Sequence, residues 1–166
     1  MKVPLVDHDF RGGGVIIGQK WILSAAHIFD DINFFNDWKF CFFVRMGTPE
    51  ATLWGSKYNI DTIELHKGYV KDTNKDDIAI LKLSSEIDYS ASTKPIKMAT
   101  SAYKIPLGIL VSTSGFGQTC FDCDNSPDLL ETEMTTIACK PQDITKICTK
   151  DPIHESTRRF RWTSRS

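Results

Sequence analysis

One imidazole and one carboxylate stand where side chains of those types can do proton chemistry. His27 follows the apolar run Trp21-Ile22-Leu23-Ser24-Ala25-Ala26. The two alanines directly before it leave room for another group to approach the ring. Asp77 stands just ahead of Ile78-Ala79-Ile80-Leu81-Lys82-Leu83, so its carboxylate starts at the edge of a core. Taken singly, each has an ordinary structural explanation: a histidine closing one strand, an aspartate capping another. The five cysteines pose a second question, because an odd count leaves at least one without an intrachain partner. Cys120-Phe121-Asp122-Cys123 followed by Cys139 and Cys148 invites a zinc reading. The second pair is too widely spaced for two matched C-x2-C ligand pairs, and no metal site is expected. Cys41, inside Phe40-Cys41-Phe42-Phe43-Val44, reads as a small buried hydrophobe.

The elements that must position these groups read as strands. Short apolar runs separated by turn-forming residues recur along the chain, and no long segment keeps a helical period. Val15-Ile16-Ile17 and Trp21-Ile22-Leu23 flank Gly18-Gln19-Lys20, as two strands on a tight turn would. Residues 40–46 form a third candidate strand, closed by Gly47-Thr48-Pro49, and residues 60–65 a fourth. Residues 78–83 are almost continuously apolar, which predicts a strand buried on both faces. A polar stretch over 84–101 predicts a long connection. Beyond it, residues 109–112 begin a strand running to Gly115-Phe116-Gly117. Residues 130–138 alternate, with Leu130, Met134 and Ala138 on one side and Glu131 and Glu133 on the other, a half-buried strand. About six strands at this spacing predict an all-β sandwich or barrel.

A length of 166 residues suits about one ordinary domain. Hydrophobic residues at 41% and charged residues at 25% exclude a disordered or collagen-like chain. Twenty basic against twenty-one acidic side chains give a net charge of −1, which argues against a nucleic-acid partner held by a cationic field. No apolar run approaches the roughly 20 residues that cross a bilayer, so no membrane partner is expected. The N-terminus meets acid at Asp7 before an apolar region develops, so no signal peptide is visible.

Considered together, the two candidate residues sit in a recognisable order of motifs. Gly12-Gly13-Gly14-Val15-Ile16-Ile17 followed by Trp21-Ile22-Leu23-Ser24-Ala25-Ala26-His27 resembles the histidine box of the trypsin/chymotrypsin family of serine endopeptidases. Asp76-Asp77-Ile78-Ala79-Ile80-Leu81-Lys82-Leu83 is similar to the family's aspartate box. Ser112-Thr113-Ser114-Gly115-Phe116-Gly117 looks like its S-G-W-G segment, with Phe for Trp. Ile63-Glu64-Leu65-His66-Lys67-Gly68-Tyr69 resembles I-x-x-H-P-x-Y, and Pro95-Ile96 the P-I after the aspartate strand. The resemblance runs from about Gly12 to Cys148 with every block in family order.

The resemblance implies an all-β, chymotrypsin-like double β-barrel. The first barrel, about residues 1–90, is nearly complete, and the second, about 105–150, is only partly present. It also implies roles: His27 takes a proton from a serine hydroxyl and later returns it to the leaving amine, while Asp77 fixes the imidazole tautomer and stabilises the imidazolium. Asp76 falls where the family usually has Asn and is expected to be a solvated neighbour. His66 is expected on a surface loop, and His8 and His154 match no catalytic position. No cofactor is implied. The partners implied are a polypeptide substrate and protein protease inhibitors.

The family's nucleophile lies in G-D-S-G-G-P, and no such string occurs in this chain. Its last residues are Arg158-Arg159-Phe160-Arg161-Trp162-Thr163-Ser164-Arg165-Ser166. Two readings stand. One is a terminus without regular structure. The other comes from the genetic code: residues 159–166 can be written CGA TTC AGG TGG ACC TCT CGT AGC. Moved one nucleotide downstream, the same bases read GAT TCA GGT GGA CCT CTC GTA, or Asp-Ser-Gly-Gly-Pro-Leu-Val. With CGG for Arg158 the preceding shifted codon is GGC, a glycine. Residues 1–157 are then a partial peptidase domain and 158–166 a frameshifted tail. At the other end, Val3-Pro4-Leu5-Val6 resembles the domain's first strand, and an upstream coding segment carrying leader and activation site is expected to precede it.

Within the resemblance, Cys139 and Cys148 fall where the family often has a disulfide. The bridge across the histidine loop is missing at both ends, with Arg11 and Ile28 in place of its cysteines. The function implied is that of a secreted serine endopeptidase, with the chain as written inactive because it lacks the serine. The alternative is a non-catalytic homologue that binds partners or inhibitors.

Overall fold

The turn after Gly18 lets two short β-branched runs fold back on each other, and the first sheet grows from that hairpin. The computed structural model describes residues 10–30, 42–51, 53–119, 124–141 and 146–150. The expected strand at Val3–Val6, the start of the 40–46 run with Cys41, the Cys120/Cys123 pair, His8, His154 and the 158–166 tail lie outside the described residues. Contacts divide the chain into two units, with the boundary between Met98 and Ala99.

Unit 1 holds β1 (Gly14–Gly18), β2 (Trp21–Ser24), a 3-10 turn (Ala26–Phe29), β3 (Phe43–Met46), β4 (Ser56–Leu65) and β5 (Ala79–Leu83). They form one antiparallel sheet in the order β1-β2-β5-β4-β3. β4 is ten residues long and changes partner along its length. Its first half pairs with β3 and, past a register shift between Ile60 and Thr62, its second half pairs with β5. Irregularities of this kind bend a strand as barrel corners require. The inner face packs Ile22, Ile60, Leu81 and Leu83 with Ala26 and Phe29 of the 3-10 turn. Tyr58 joins this core, and its hydroxyl accepts a hydrogen bond from the Asp88 N–H at 3.2 Å.

β5 departs from expectation. Ala79, Leu81 and Leu83 are buried, but Ile80 and Ile78 are 40% and 41% exposed. The strand lies at the centre of an antiparallel sheet whose inner face alone is packed, so alternation decides burial and apolar character does not. The 84–101 connection carries no helix or strand. It is tied to the sheet by backbone bonds from Ser84 N–H to Asn59 O, Ile87 N–H to Gln19 O and Ile96 N–H to Ile16 O.

Unit 2 holds β6 (Leu110–Gly115), β7 (Leu130–Ile137) and β8 (Cys148–Lys150), a three-stranded antiparallel sheet in that order. β7 alternates as the sequence predicts from Leu130 to Met134, but it ends at Ile137 and leaves Ala138 exposed. β8 was not foreseen, because three residues give no periodicity to read. Among the described residues the regular structure is all β-strand apart from the one 3-10 turn, as the sequence predicts. Among the described residues no helix is long and apolar enough to cross a membrane.

Candidate active site

His27 is held by the 3-10 turn that follows β2. Ala26, fully buried, anchors that turn in the core, and small residues on its N-terminal side let it pack tightly. Close approach also explains Gly12: a side-chain carbon there would collide with Ile28, the residue after the histidine.

Asp77 arrives from the opposite direction, at the end of the loop joining β4 to β5. That loop closes on itself through His66 N–H to Ile78 O and Val70 N–H to Lys75 O. Asp76 adopts a left-handed conformation (φ +51°), which aspartate tolerates better than most residues. The Ile78 N–H then bonds back to Asp76 O at 2.8 Å, forming a γ-turn with Asp77 at its apex.

The two groups meet in bidentate fashion. Asp77 Oδ2 lies 2.6 Å from His27 Nδ1, and Asp77 Oδ1 accepts the His27 backbone N–H at 2.9 Å. Their side chains are 17% and 23% exposed, so the pair is shielded but reachable. A carboxylate can only accept, so Nδ1 is the nitrogen that donates to Asp77, and the contact turns Nε2 away from it. The arrangement therefore orients the imidazole.

His66 is apart from this pair. It sits in the exposed loop, its Nδ1 accepting the Gly68 N–H at 3.1 Å and lying 3.9 Å from Asp76 Oδ2. In unit 2, Cys139 and Cys148 are joined by a disulfide. Sequence reasoning missed a neighbouring network: the Tyr69 hydroxyl donates to Asp30 Oδ1 at 2.8 Å, and Lys71 Nζ lies 3.7 Å from Asp30 Oδ2. Tyr69 enters the sequence reading only as the last residue of a motif, and Asp30 does not enter it at all. Neither carries a signal by type alone. Ionisation of Tyr69 is pushed upward, first by burial, then by its bond to Asp30 and by the negative charges of Asp30 and Asp77.

A family model described as Trypsin matches residues 5–157. Among curated proteins, Trypsin CFT-1 of Choristoneura fumiferana is 31% identical over 133 residues, covering 80% of this chain and 50% of that protein. Trypsin II-P29 of Gallus gallus is 32% identical over 131 residues, covering 72% and 45%. The chain spans about half the length of the curated relatives it matches. Among solved structures, the scabies mite inactivated protease paralogue S-D1 superposes with a TM-score of 0.67 at 23% identity, covering 76% of this chain and 52% of that one.

Proposed function

The chain belongs to the trypsin family, and from that premise we propose that it carries the proton-handling half of a secreted serine endopeptidase's active site. His27 is the general base and Asp77 the carboxylate that orients it. The observation that carries this reading is the bidentate contact, 2.6 Å to Nδ1 and 2.9 Å from the backbone N–H of the same residue. One such bond fixes the tautomer, and two together fix the ring's position. A serine hydroxyl placed at Nε2 would surrender its proton as it attacks a peptide carbonyl, and the imidazolium so formed would be stabilised by Asp77. Substrates are polypeptides, and protein inhibitors of proteases are the expected antagonists.

The nucleophile of this reading is the serine latent in the shifted frame across residues 158–165. The 166 residues as written contain no Gly-Asp-Ser-Gly-Gly-Pro string. Loss of a triad serine alone lowers kcat by about 10⁶. A second reading takes the frame as given, Arg159-Phe160-Arg161-Trp162, at face value: a homologue that acts only by binding partners or inhibitors.

Sequencing the transcript across codons 157–166 separates the two. An uninterrupted frame encoding Gly-Asp-Ser-Gly-Gly-Pro supports the enzyme. Confirmation of the Arg-Phe-Arg-Trp frame supports the binding homologue, and codons that cannot be shifted into the serine box end the frameshift account. In the frame-restored protein, Asp77→Asn should lower kcat by about 10⁴ because the ring adopts the wrong tautomer. Near-full peptide-bond hydrolysis in that variant would remove Asp77 from the mechanism.

A further inference from the structure

The 3-10 turn and the β4–β5 loop approach each other at a second place besides the His27–Asp77 contact. Asp30 follows the turn directly, in helical conformation (φ −53°, ψ −37°), and its N–H bonds to His27 O. Side chains three apart in 3-10 geometry eclipse one another, so Asp30 stands on the same face of the turn as His27. Tyr69 belongs to the loop that ends in Asp77. Its ring packs against the core, its N–H bonds to His66 O, and its hydroxyl donates to Asp30 Oδ1 at 2.8 Å. Two elements that each deliver one member of the pair are thus joined twice, once through the pair and once beside it.

We propose that Asp30 and Tyr69 are positioning residues, a hydrogen-bonded brace that holds the turn carrying His27 against the loop carrying Asp77. The inference rests on the reading of those two residues as base and orienter. With the Tyr69–Asp30 bond the turn and the loop are joined at two places instead of one. Tyr69 is suited to the role. Its ring is held by the core, and its hydroxyl is aimed at Asp30 Oδ1. Ionisation pushed above the ordinary phenol range keeps its proton in place, so it remains a donor at neutral pH. Lys71 Nζ, 3.7 Å from the other oxygen of Asp30 and largely in water, adds a weaker point of attachment from the same loop.

The test reads two protons of His27 in this chain by NMR: its backbone N–H and the low-field Nδ1–H. The Leu81 N–H in the centre of the sheet is followed in the same samples. Asp77→Asn is measured first. If it leaves the His27 protons unchanged, the base-and-orienter reading fails, and it does so independently of the brace. With that reading intact, Tyr69→Phe, which deletes one oxygen, and Asp30→Ala should each speed exchange of both His27 protons about tenfold, the scale of one lost charge-assisted hydrogen bond. Leu81 should change less than twofold. Asp30→Asn keeps an acceptor for the Tyr69 hydroxyl and should restore exchange to near the parent rate.

Three results would overturn the brace. One is unchanged His27 exchange in both Tyr69→Phe and Asp30→Ala. Another is equal loss of protection at His27 and Leu81, outright unfolding included, which would make the contact a support for the fold only. The third is Asp30→Asn behaving as Asp30→Ala.

Discussion

Among the described residues every buried apolar side chain lies in unit 1, between Ile22 and Ile87, whereas in unit 2 the one buried residue is a threonine, Thr136. Unit 1 has five strands curled around an inner face, enough for Ile22, Leu81 and Leu83 to be almost completely removed from water. Unit 2 has three, and Leu107, Leu110 and Ile147 are each more than half exposed. An apolar groove of about 330 Å³ lined by Ile105, Leu107, Ile137 and the disulfide remains open. A sheet of three strands covers too little area to be held by burial alone, so directional bonds and a covalent link take a larger share there. The difference also bears on where His27 and Asp77 meet. A 2.6 Å contact between side chains carried at the same end of two neighbouring strands, β2 and β5, needs rigid supports, and unit 1 supplies a packed core beneath both.

The sharpest way to break this contrast is to cut the same leucine side chain in each unit. Leu81 is central in the sheet, paired on both sides and 3% exposed. Leu81→Ala should cost about 2–5 kcal/mol, with hydrogen exchange of the β4 and β5 amides accelerating accordingly. Leu130 opens β7 and is half-buried, so Leu130→Ala should cost about 1 kcal/mol, read on the β7 amides. Equal costs would mean that unit 2 has a hydrophobic core after all.

The next effect belongs to the disulfide. Cys139 and Cys148 close a loop with a sequence separation of 9, and losing that constraint from the unfolded chain should cost about 2–3 kcal/mol. The double variant Cys139→Ser/Cys148→Ser should therefore accelerate exchange in β7 and β8 by roughly a hundredfold. An effect below threefold would show that the strand ladder between Thr135 and Cys148 needs no covalent help.

How much of this was legible in the sequence follows the same division. The strands of unit 1 and the all-β class could be read because their apolar runs are long enough to show a pattern. Ile22, Leu81 and Leu83 mark the inner face by simple alternation. The face that β5 turns outward was misread, because Ile78 and Ile80 look like core residues and only the sheet's topology places them outside. Motif order alone singles out His27 and Asp77, since neither type nor spacing predicts that residues fifty apart will touch. Tyr69 closes a motif that gives no sign of its partner, and Asp30 lies in none, so their contact is invisible in the sequence. β8 and the role of Thr136 depend on backbone bonds, to which side-chain pattern is blind.

The smallest effect tests the polar side of the comparison. The Thr136 hydroxyl donates to Pro106 O at 2.8 Å and accepts the Ile109 N–H at 3.1 Å. Its backbone bonds with the same segment, from Gly108 N–H to Thr136 O and from Thr136 N–H to Ile109 O, both at 2.9 Å. Four bonds on one residue tie the segment leading into β6 to the far end of β7. Thr136→Val keeps shape and the two backbone bonds but orphans Pro106 O and the Ile109 N–H. Full desolvation of such groups would cost about 1–3 kcal/mol each. Pro106 and Ile109 are exposed enough for water to replace the hydroxyl in part, so the net loss should be about 1 kcal/mol. It should appear as roughly fivefold faster exchange at Gly108 N–H, with Thr136→Ser, which keeps the hydroxyl, closer to the parent. If Thr136→Val matches the parent and Thr136→Ser is the weaker variant, the methyl group matters more than the oxygen, and unit 2 is held by packing in the manner of unit 1.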